Sequence, residues 1–289
     1  MPGSDAQNGN KGRADLPALL DTALDAARQA GELANARFCT DVRCKRKADG
    51  SPVTEVDLAV DALLRERLLG ALPGAGWLSE ESTQGDAWRR HERVWVVDPL
   101  DGTSGFLRRD RHWCIAIALL ERGVPVLGVI HAPALGHSWW AHAGGGAFLD
   151  GAPARVSTRP TLEGATLIGP KSIANPAMWA KPWPPVTVRR YPSLALRLAY
   201  VASAEADGML ALGGKNYWDV AAGDIIVREA GGRVADITGA PLIYADAGAR
   251  VNGVIAAPPA LFARMAALAR GWRGGTGKGT MQHQRGKRA

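Results

Sequence analysis

The sequence predicts a mixed fold, an α+β first half built round an antiparallel sheet and an α/β second half. Three observations carry this reading. Apolar runs at 114–120 and 126–131 are joined by the short turn Glu121-Arg122-Gly123-Val124-Pro125, and a further run at 94–97 precedes them, the pattern of hairpin-linked strands. After Gly151, short apolar runs alternate with stretches of helical periodicity, as α/β units do. At 289 residues the chain exceeds the usual single-domain size, which suits two halves sharing a buried interface. The boundary is expected near Gly151, giving halves at 15–150 and 151–270.

Residues 1–14 are polar and lack the apolar stretch of a secretory signal, so a frayed lead-in and a cytoplasmic location are expected. Asp15 to Arg37 reads as a helix: Asp15 caps, Pro17 lies in the first turn, and Leu19, Leu20, Ala23, Leu24, Ala27, Ala30 and Ala34 form one stripe. A polar loop, KRKADGSP, follows. Thr54 opens a second helix to about Leu69, with Val56, Val60, Leu63, Leu64 and Leu68 as its stripe, and Leu72-Pro73-Gly74 stops it. Strands are expected at Val94–Val97, Cys114–Leu120 and Val126–His131. The second half reads as a strand at Thr166–Ile168, a helix from Ser193 to about Ala204, a strand at Gly208–Leu212, a helix from Asp219 to Ala230, a strand at Val251–Ala256 and a closing helix at Leu261–Ala269. No internal repeat interrupts this order.

Hydrophobic residues make up 46% and charged residues 22% of the chain, the balance of a soluble globular protein. No apolar run approaches the ~20 residues that span a bilayer. Cys39, Cys44 and Cys114 are an odd set without CxxC spacing, which suits reduced thiols, and Cys114 belongs to an apolar run and to the core. Of the net charge of +7, five charges (Arg273, Lys278, Arg285, Lys287 and Arg288) fall in residues 271–289, which contain no acid. The body is therefore close to neutral. The Gly-rich basic tail is expected to be disordered, with at most nonspecific nucleic-acid contact. Its GGTGKGT is no phosphate-binding P-loop, since Gly279 stands where Ser or Thr must follow Lys278. Most of the ten tryptophans, including Trp139, Trp140 and the MWAKPWPP cluster at 178–185, are expected in core packing.

The stretch VWVVDPLDGTSGF, residues 94–106, carries chemistry. Asp98 stands where a short strand ends. Pro99 and Gly102 turn the chain, so Asp98 and Asp101 face one place. Adjacent carboxylates repel unless protonated or neutralised, and hard oxygen ligands suit Mg²⁺. The N–H groups of Gly102, Thr103 and Ser104 open a helical turn and attract phosphate oxygens. An ordinary Pro/Asp/Gly turn accounts for the same residues. Elsewhere Glu80 and Glu81 end a short apolar piece, Asp219 starts a helix, and Thr54-x-x-Asp57 fits a capping box.

Taken in order, DGSPVTEVD, SEES, WVVDPLDGTSGF and WDVAAGDIIVREAGG resemble the inositol monophosphatase family of metal-dependent, lithium-inhibited phosphatases, over roughly residues 15–270. The resemblance implies the layered αβαβα sandwich of the inositol monophosphatase and fructose-1,6-bisphosphatase type, commonly dimeric. It implies two or three Mg²⁺ ions, with Glu80, Asp98, the carbonyl of Leu100, Asp101 and Asp219 as ligands. Thr103 and Asp57 match the pair that positions the attacking water, with Glu80 bridging to the nucleophile's metal and Glu81 a neighbour of the ligands. The implied reaction is direct attack of water on a small phosphorylated metabolite.

Substrate signals conflict. GFLRR and GVPVLGVIHAPALG are similar to the 3'(2'),5'-bisphosphate nucleotidase branch, whereas SLALRLAYVASAEADGML with WDVAAG is similar to inositol phosphatases. Pro192 in YPSLA replaces the glycine usual in the family's substrate-touching loop. Inositol monophosphate is the first expectation, adenosine 3',5'-bisphosphate the second, histidinol phosphate the third, and a catalytically silent phosphate-binding relative the last. Ser193, Lys215 and Asn216 are expected beside the substrate. Lys171 reaches a second phosphate or is simply a surface lysine.

Overall fold

The computed structural model describes residues 15–82 and 85–273. The expected lead-in at 1–14 and residues 274–289 of the expected tail lie outside the described residues. Helix α1 (Leu16–Asn35) is followed by a hairpin of β1 (Cys44–Arg46) and β2 (Pro52–Thr54), then by α2 (Glu55–Ala71). The chain next builds β3 (Gly76–Ser79), β4 (Arg93–Asp101), the short α3 (Thr103–Leu107), β5 (Cys114–Glu121), β6 (Val124–Ala132), β7 (His137–His142), β8 (Gly146–Leu149) and β9 (Ala152–Ala154). Then come β10 (Thr166–Ile168), β11 (Thr187–Arg189), α4 (Leu194–Ala202), β12 (Gly208–Asn216), α5 (Tyr217–Glu229), β13 (Arg233–Ala235), β14 (Arg250–Ala257) and α6 (Pro259–Ala269).

Strands β3 to β9 form a seven-stranded sheet in sequence order, and β10 to β14 a five-stranded sheet ordered β11-β10-β12-β14-β13. The first sheet is antiparallel except at its edge, where β3 runs parallel to β4. Side chains alternate across it. Trp95, Val97, Ile115, Ile117, Leu119, Leu127 and Val129 pack under α1 and α2. Their neighbours Val94, Val96, Ala116, Ala118, Leu120 and Ile130 face α4 and α5. Both faces are buried, which explains why these strands read as continuous apolar runs rather than as alternation.

Helices α4 and α5 also touch the five-stranded sheet, whose other face is covered by α6. The result is the expected αβαβα sandwich, with an apolar core on the outer side of each sheet and one between the sheets, around the central helices. Trp139 is fully buried in the central core and Trp179 in the outermost one, beside Trp183. Cys114 is buried as expected. No helix of the described residues is long and apolar enough to cross a membrane.

Close approach of α5 to the first sheet depends on Gly128. A Cβ there would lie 2.5 Å from Ile225 Cγ2 and 2.6 Å from the carbonyl oxygen of Ala222. A helix backbone cannot yield as a flexible side chain can. Gly128→Val is therefore expected to destabilise the fold by about 1–3 kcal/mol, read as a lower urea midpoint with unchanged slope.

Candidate active site

Four elements end at one edge of the sandwich. Strands β3 and β4 are parallel, with Ser79 opposite Val97, so the residues after both emerge together. Glu80 follows β3, and its N–H donates to Val97 O at 3.3 Å. In β4 the register with β5 breaks between Asp98 and Asp101, because Pro99 has no N–H for the ladder. Gly102 then takes φ 97°. A Cβ there would sit 3.2 Å from His112 O and 3.4 Å from Ser193 Cβ, so the turn into α3 requires glycine.

Two helix N-termini meet these strand ends. Asp57 is the third residue of α2 and closes a capping box with Thr54, whose N–H donates to Asp57 Oδ2 at 2.9 Å. Asp219 is the third residue of α5, and its Oδ2 accepts from Asn216 N at 3.0 Å. The first turn of α4 adds a donor, since Ala195 N reaches Asp101 Oδ2 at 2.6 Å. Helix N-termini favour carboxylates through their unpaired N–H groups and dipole.

The side chains converge. Oxygens of Glu80, Asp98 and Asp219 all lie within 4.8 Å of one another. Asp98 Oδ1 accepts from Leu100 N at 3.0 Å. Asp101 is fixed alongside by Ser193 Oγ, which donates to its Oδ2 at 2.7 Å. Thr103 Oγ1 lies 3.0 Å from both Asp57 Oδ1 and Leu100 O. With one proton, that hydroxyl donates to one of them at a time and keeps lone pairs to accept from a water. Lys47 Nζ bridges Glu80 Oε1 at 2.6 Å and Glu81 Oε1 at 2.7 Å.

Crowding shows in the protonation chemistry. Burial, then repulsion from Glu80, Asp101 and Asp219, pushes the Asp98 carboxyl far above its ordinary range. Burial, with Asp101 and Glu80, pushes Asp219 up to about 8. Burial pushes Glu81 to about 7 against the pull of Lys47. Asp57 and Asp101 are also raised by burial, opposed by the hydroxyls of Thr54 and Ser193 respectively. Such a set of convergent carboxylate oxygens, uncompensated by equal positive charge, matches the donor chemistry of a hard divalent cation.

The structure thus brings together Asp57, Glu80, Asp98, Leu100, Asp101, Gly102, Thr103 and Asp219. Ser104 is exposed on α3. Asn216 serves through its backbone N–H. Ser193 differs from its expected place beside substrate: it is fully buried, bonded to Asp101 and capping α4, so it positions Asp101. Lys215 lines an adjacent cavity, whereas Lys171 is exposed on a separate 3₁₀ turn. Sequence reasoning missed Lys47, which sat in what read as a plain polar loop. It also missed the buried bond from Ser79 Oγ to Asp61 that ties β3 to α2. The strand expected at Gly208–Leu212 runs on to Asn216, through a bulge between Ala211 and Gly214.

Residues 15–271 match the inositol monophosphatase family. The histidinol-phosphatase of Mycobacterium tuberculosis (strain ATCC 25618 / H37Rv) is 42% identical over 229 residues, spanning 74% of this chain and 86% of that protein. The 3'(2'),5'-bisphosphate nucleotidase CysQ of Aggregatibacter actinomycetemcomitans is 33% identical over 228 residues, spanning 74% and 82%. Among solved structures, the extragenic suppressor protein suhB of Bartonella henselae superposes with a TM-score of 0.76 at 28% identity, covering 89% of this chain and 99% of that one.

Carboxyls raised by burial favour the protonated folded state, so their contribution to stability is present at low pH and is lost as pH rises toward the folded pKa. With Asp219 near 8 and Glu81 near 7, the metal-free protein should lose thermal stability from about pH 4, where unfolded carboxyls ionise, up to about pH 8, and level off above that. Millimolar Mg²⁺ should remove most of that fall, so the Mg²⁺-induced rise in Tm grows with pH. Differential scanning fluorimetry across the range checks this.

Proposed function

The chain belongs to the inositol monophosphatase family, whose members hydrolyse phosphomonoesters, and from that premise we propose that it is a Mg²⁺-dependent phosphomonoesterase using direct attack of water. The observation that carries this reading is the hydrogen-bonded pair of Thr103 and Asp57, 3.0 Å apart, beside the trio Glu80, Asp98 and Asp219. Cys114 and Ser193, which lie against Asp101, are both buried.

Glu80, Asp98 and Asp219, with Asp101 and the Leu100 carbonyl alongside, would hold the divalent cations. Bound there, Mg²⁺ would supply positive charge against the phosphate oxygens and acidify a water. Thr103, whose hydroxyl lies 3.0 Å from Asp57 Oδ1, would accept a hydrogen bond from an attacking water while donating its own to Asp57. Burial of Asp57, 1% exposed, raises its proton affinity and suits it to polarise the hydroxyl. The N–H groups opening α3 after Gly102 would be donors to the phosphate. The capping bonds of Asp57 and Asp219 hold both carboxylates still while charge shifts, which is the preorganisation that catalysis of this kind uses.

Inositol monophosphate, adenosine 3',5'-bisphosphate and histidinol phosphate share the group to be cleaved. They differ in the remainder, which is a neutral polyol, a nucleoside with a second phosphate, and a cationic amine. Their discrimination falls to the cavity that flanks the acids.

Phosphate release from these esters is expected to require Mg²⁺ and to vanish in chelator. Thr103→Val keeps the shape of the side chain and removes the hydroxyl. It should lower kcat by about 10²–10⁴-fold while Mn²⁺ binding, followed by electron paramagnetic resonance, persists. Full activity in Thr103→Val, or turnover without a divalent ion, would contradict the proposed route.

A further inference from the structure

Next to the acids lies a cavity of about 480 Å³ whose wall carries Arg108, Arg190, Arg197 and Lys215. It starts one residue from the acid loop. Pro192, in its wall, precedes the Ser193 that bonds Asp101, and it packs so tightly on Gly105 that a Cβ there would lie 2.7 Å from Pro192 Cγ. Lys215 stands four residues before Asp219, and the Asp219 charge acts on both Lys215 and Arg197. The cavity therefore neighbours the acid loop and the start of α5.

No acid of its own wall is free to balance its charges, although Asp101 and Asp219 just outside it act on Arg197, and Asp219 on Lys215. Arg197 donates from Nε to Tyr191 O at 2.8 Å and from Nη2 to Pro192 O at 3.2 Å, which satisfies donors without neutralising the cation. Arg108, Arg190 and Lys215 make no ion pair among the described residues. Asp110 is the sole acid of the wall, and its carboxylate is engaged by His112, through N at 3.0 Å and Nδ1 at 2.7 Å. Burial, with Arg197 and Arg250 nearby, makes the Lys215 ammonium costly to keep against the pull of Asp219. Two half-buried cations and two exposed ones around one small space stay together at a cost unless an anion enters.

This constrains the ligand. A cationic amine is repelled by such a wall, and a neutral polyol leaves it uncompensated. We propose that the cavity receives a second anionic group of the substrate, so that the preferred substrates are phosphomonoesters carrying another phosphate or a carboxylate. Arg190, Arg197, Arg108 and Lys215 are then specificity-determining residues, with the planar guanidinium groups matched to bidentate oxyanion recognition. The assignment rests on the phosphomonoesterase reading and moves the expectation from inositol monophosphate to doubly anionic esters.

Matched substrate pairs test it. Adenosine 3',5'-bisphosphate and adenosine 3'-phosphate differ only in the second phosphate; 2-phosphoglycerate and glycerol 2-phosphate differ in a carboxylate. With the Mg²⁺-loaded full chain, kcat/KM should be about 10- to 100-fold higher for the doubly anionic member, the range expected for a hydrogen bond to a charged group. Preference confined to the nucleotide pair identifies a phosphate site, and preference in both pairs a general anion site. Lys215→Gln and Arg190→Gln should each lower that ratio several-fold, chiefly through KM, with circular dichroism confirming that each variant folds. Equal kcat/KM within both pairs, or a ratio that both variants leave unchanged, overturns the assignment. No turnover of any of the four esters or of inositol 1-phosphate overturns the phosphomonoesterase reading itself, and the assignment with it.

Discussion

Repulsion between carboxylates held in one buried volume is the constraint from which the rest of this structure follows. Asp57, Glu80, Glu81, Asp98, Asp101 and Asp219 come from α2, the end of β3, the end of β4 and the start of α5. Left alone, such a cluster would force its elements apart. The chain answers with helix N-termini under Asp57, Asp101 and Asp219, with the hydroxyls of Thr54 and Ser193, and with the ammonium of Lys47 across Glu80 and Glu81. These fix the geometry without cancelling the charge. Protons make up part of the difference, as the raised Asp98 and Asp219 carboxyls show, and a divalent cation satisfies the same oxygens more completely.

The architecture exists to hold that cluster rigid. Glu80 and Asp98 extend from strands buried on both faces, Asp219 from a helix sandwiched between two sheets. Gly128 and Gly102 are the two close approaches that let the helix layer and the acid loop seat. Charge is then segregated along the groove. Acids gather at the strand ends and cations line the neighbouring cavity, a polarity that would orient a substrate of the proposed kind with its cleaved phosphate toward the first and its remaining anionic group toward the second.

Much of this was legible in the sequence. Long apolar stripes fixed α1 and α2 to within a few residues, and DPLDGT marked the bulge-and-turn that places Asp98 and Asp101, because proline and glycine leave the backbone few alternatives. Short edge strands were not legible. β1, β2, β9 and β11 are three residues each, too brief for periodicity to register and defined by their partners. β7 and β8 mix histidine, serine and glycine with their apolar residues, which hid the alternation. Lys47 was invisible for a different reason: its role depends on a hairpin folding across space to Glu80, and nothing local distinguishes it from Lys45. Ser193, expected beside the substrate from its place in the chain, is fully buried against Asp101, and burial is a tertiary property that local sequence does not carry.

The central claim is that carboxylates from the seven-stranded sheet and from α5 jointly hold divalent cations. Titration of the protein with Mn²⁺, followed by electron paramagnetic resonance, tests it directly when the wild type is compared with Asp98→Asn and Asp219→Asn. The account predicts that each substitution weakens Mn²⁺ binding at least about tenfold, as loss of a ligand should. Binding equal to the wild type in both variants would show that the cluster does not act as one site, and the account would fail.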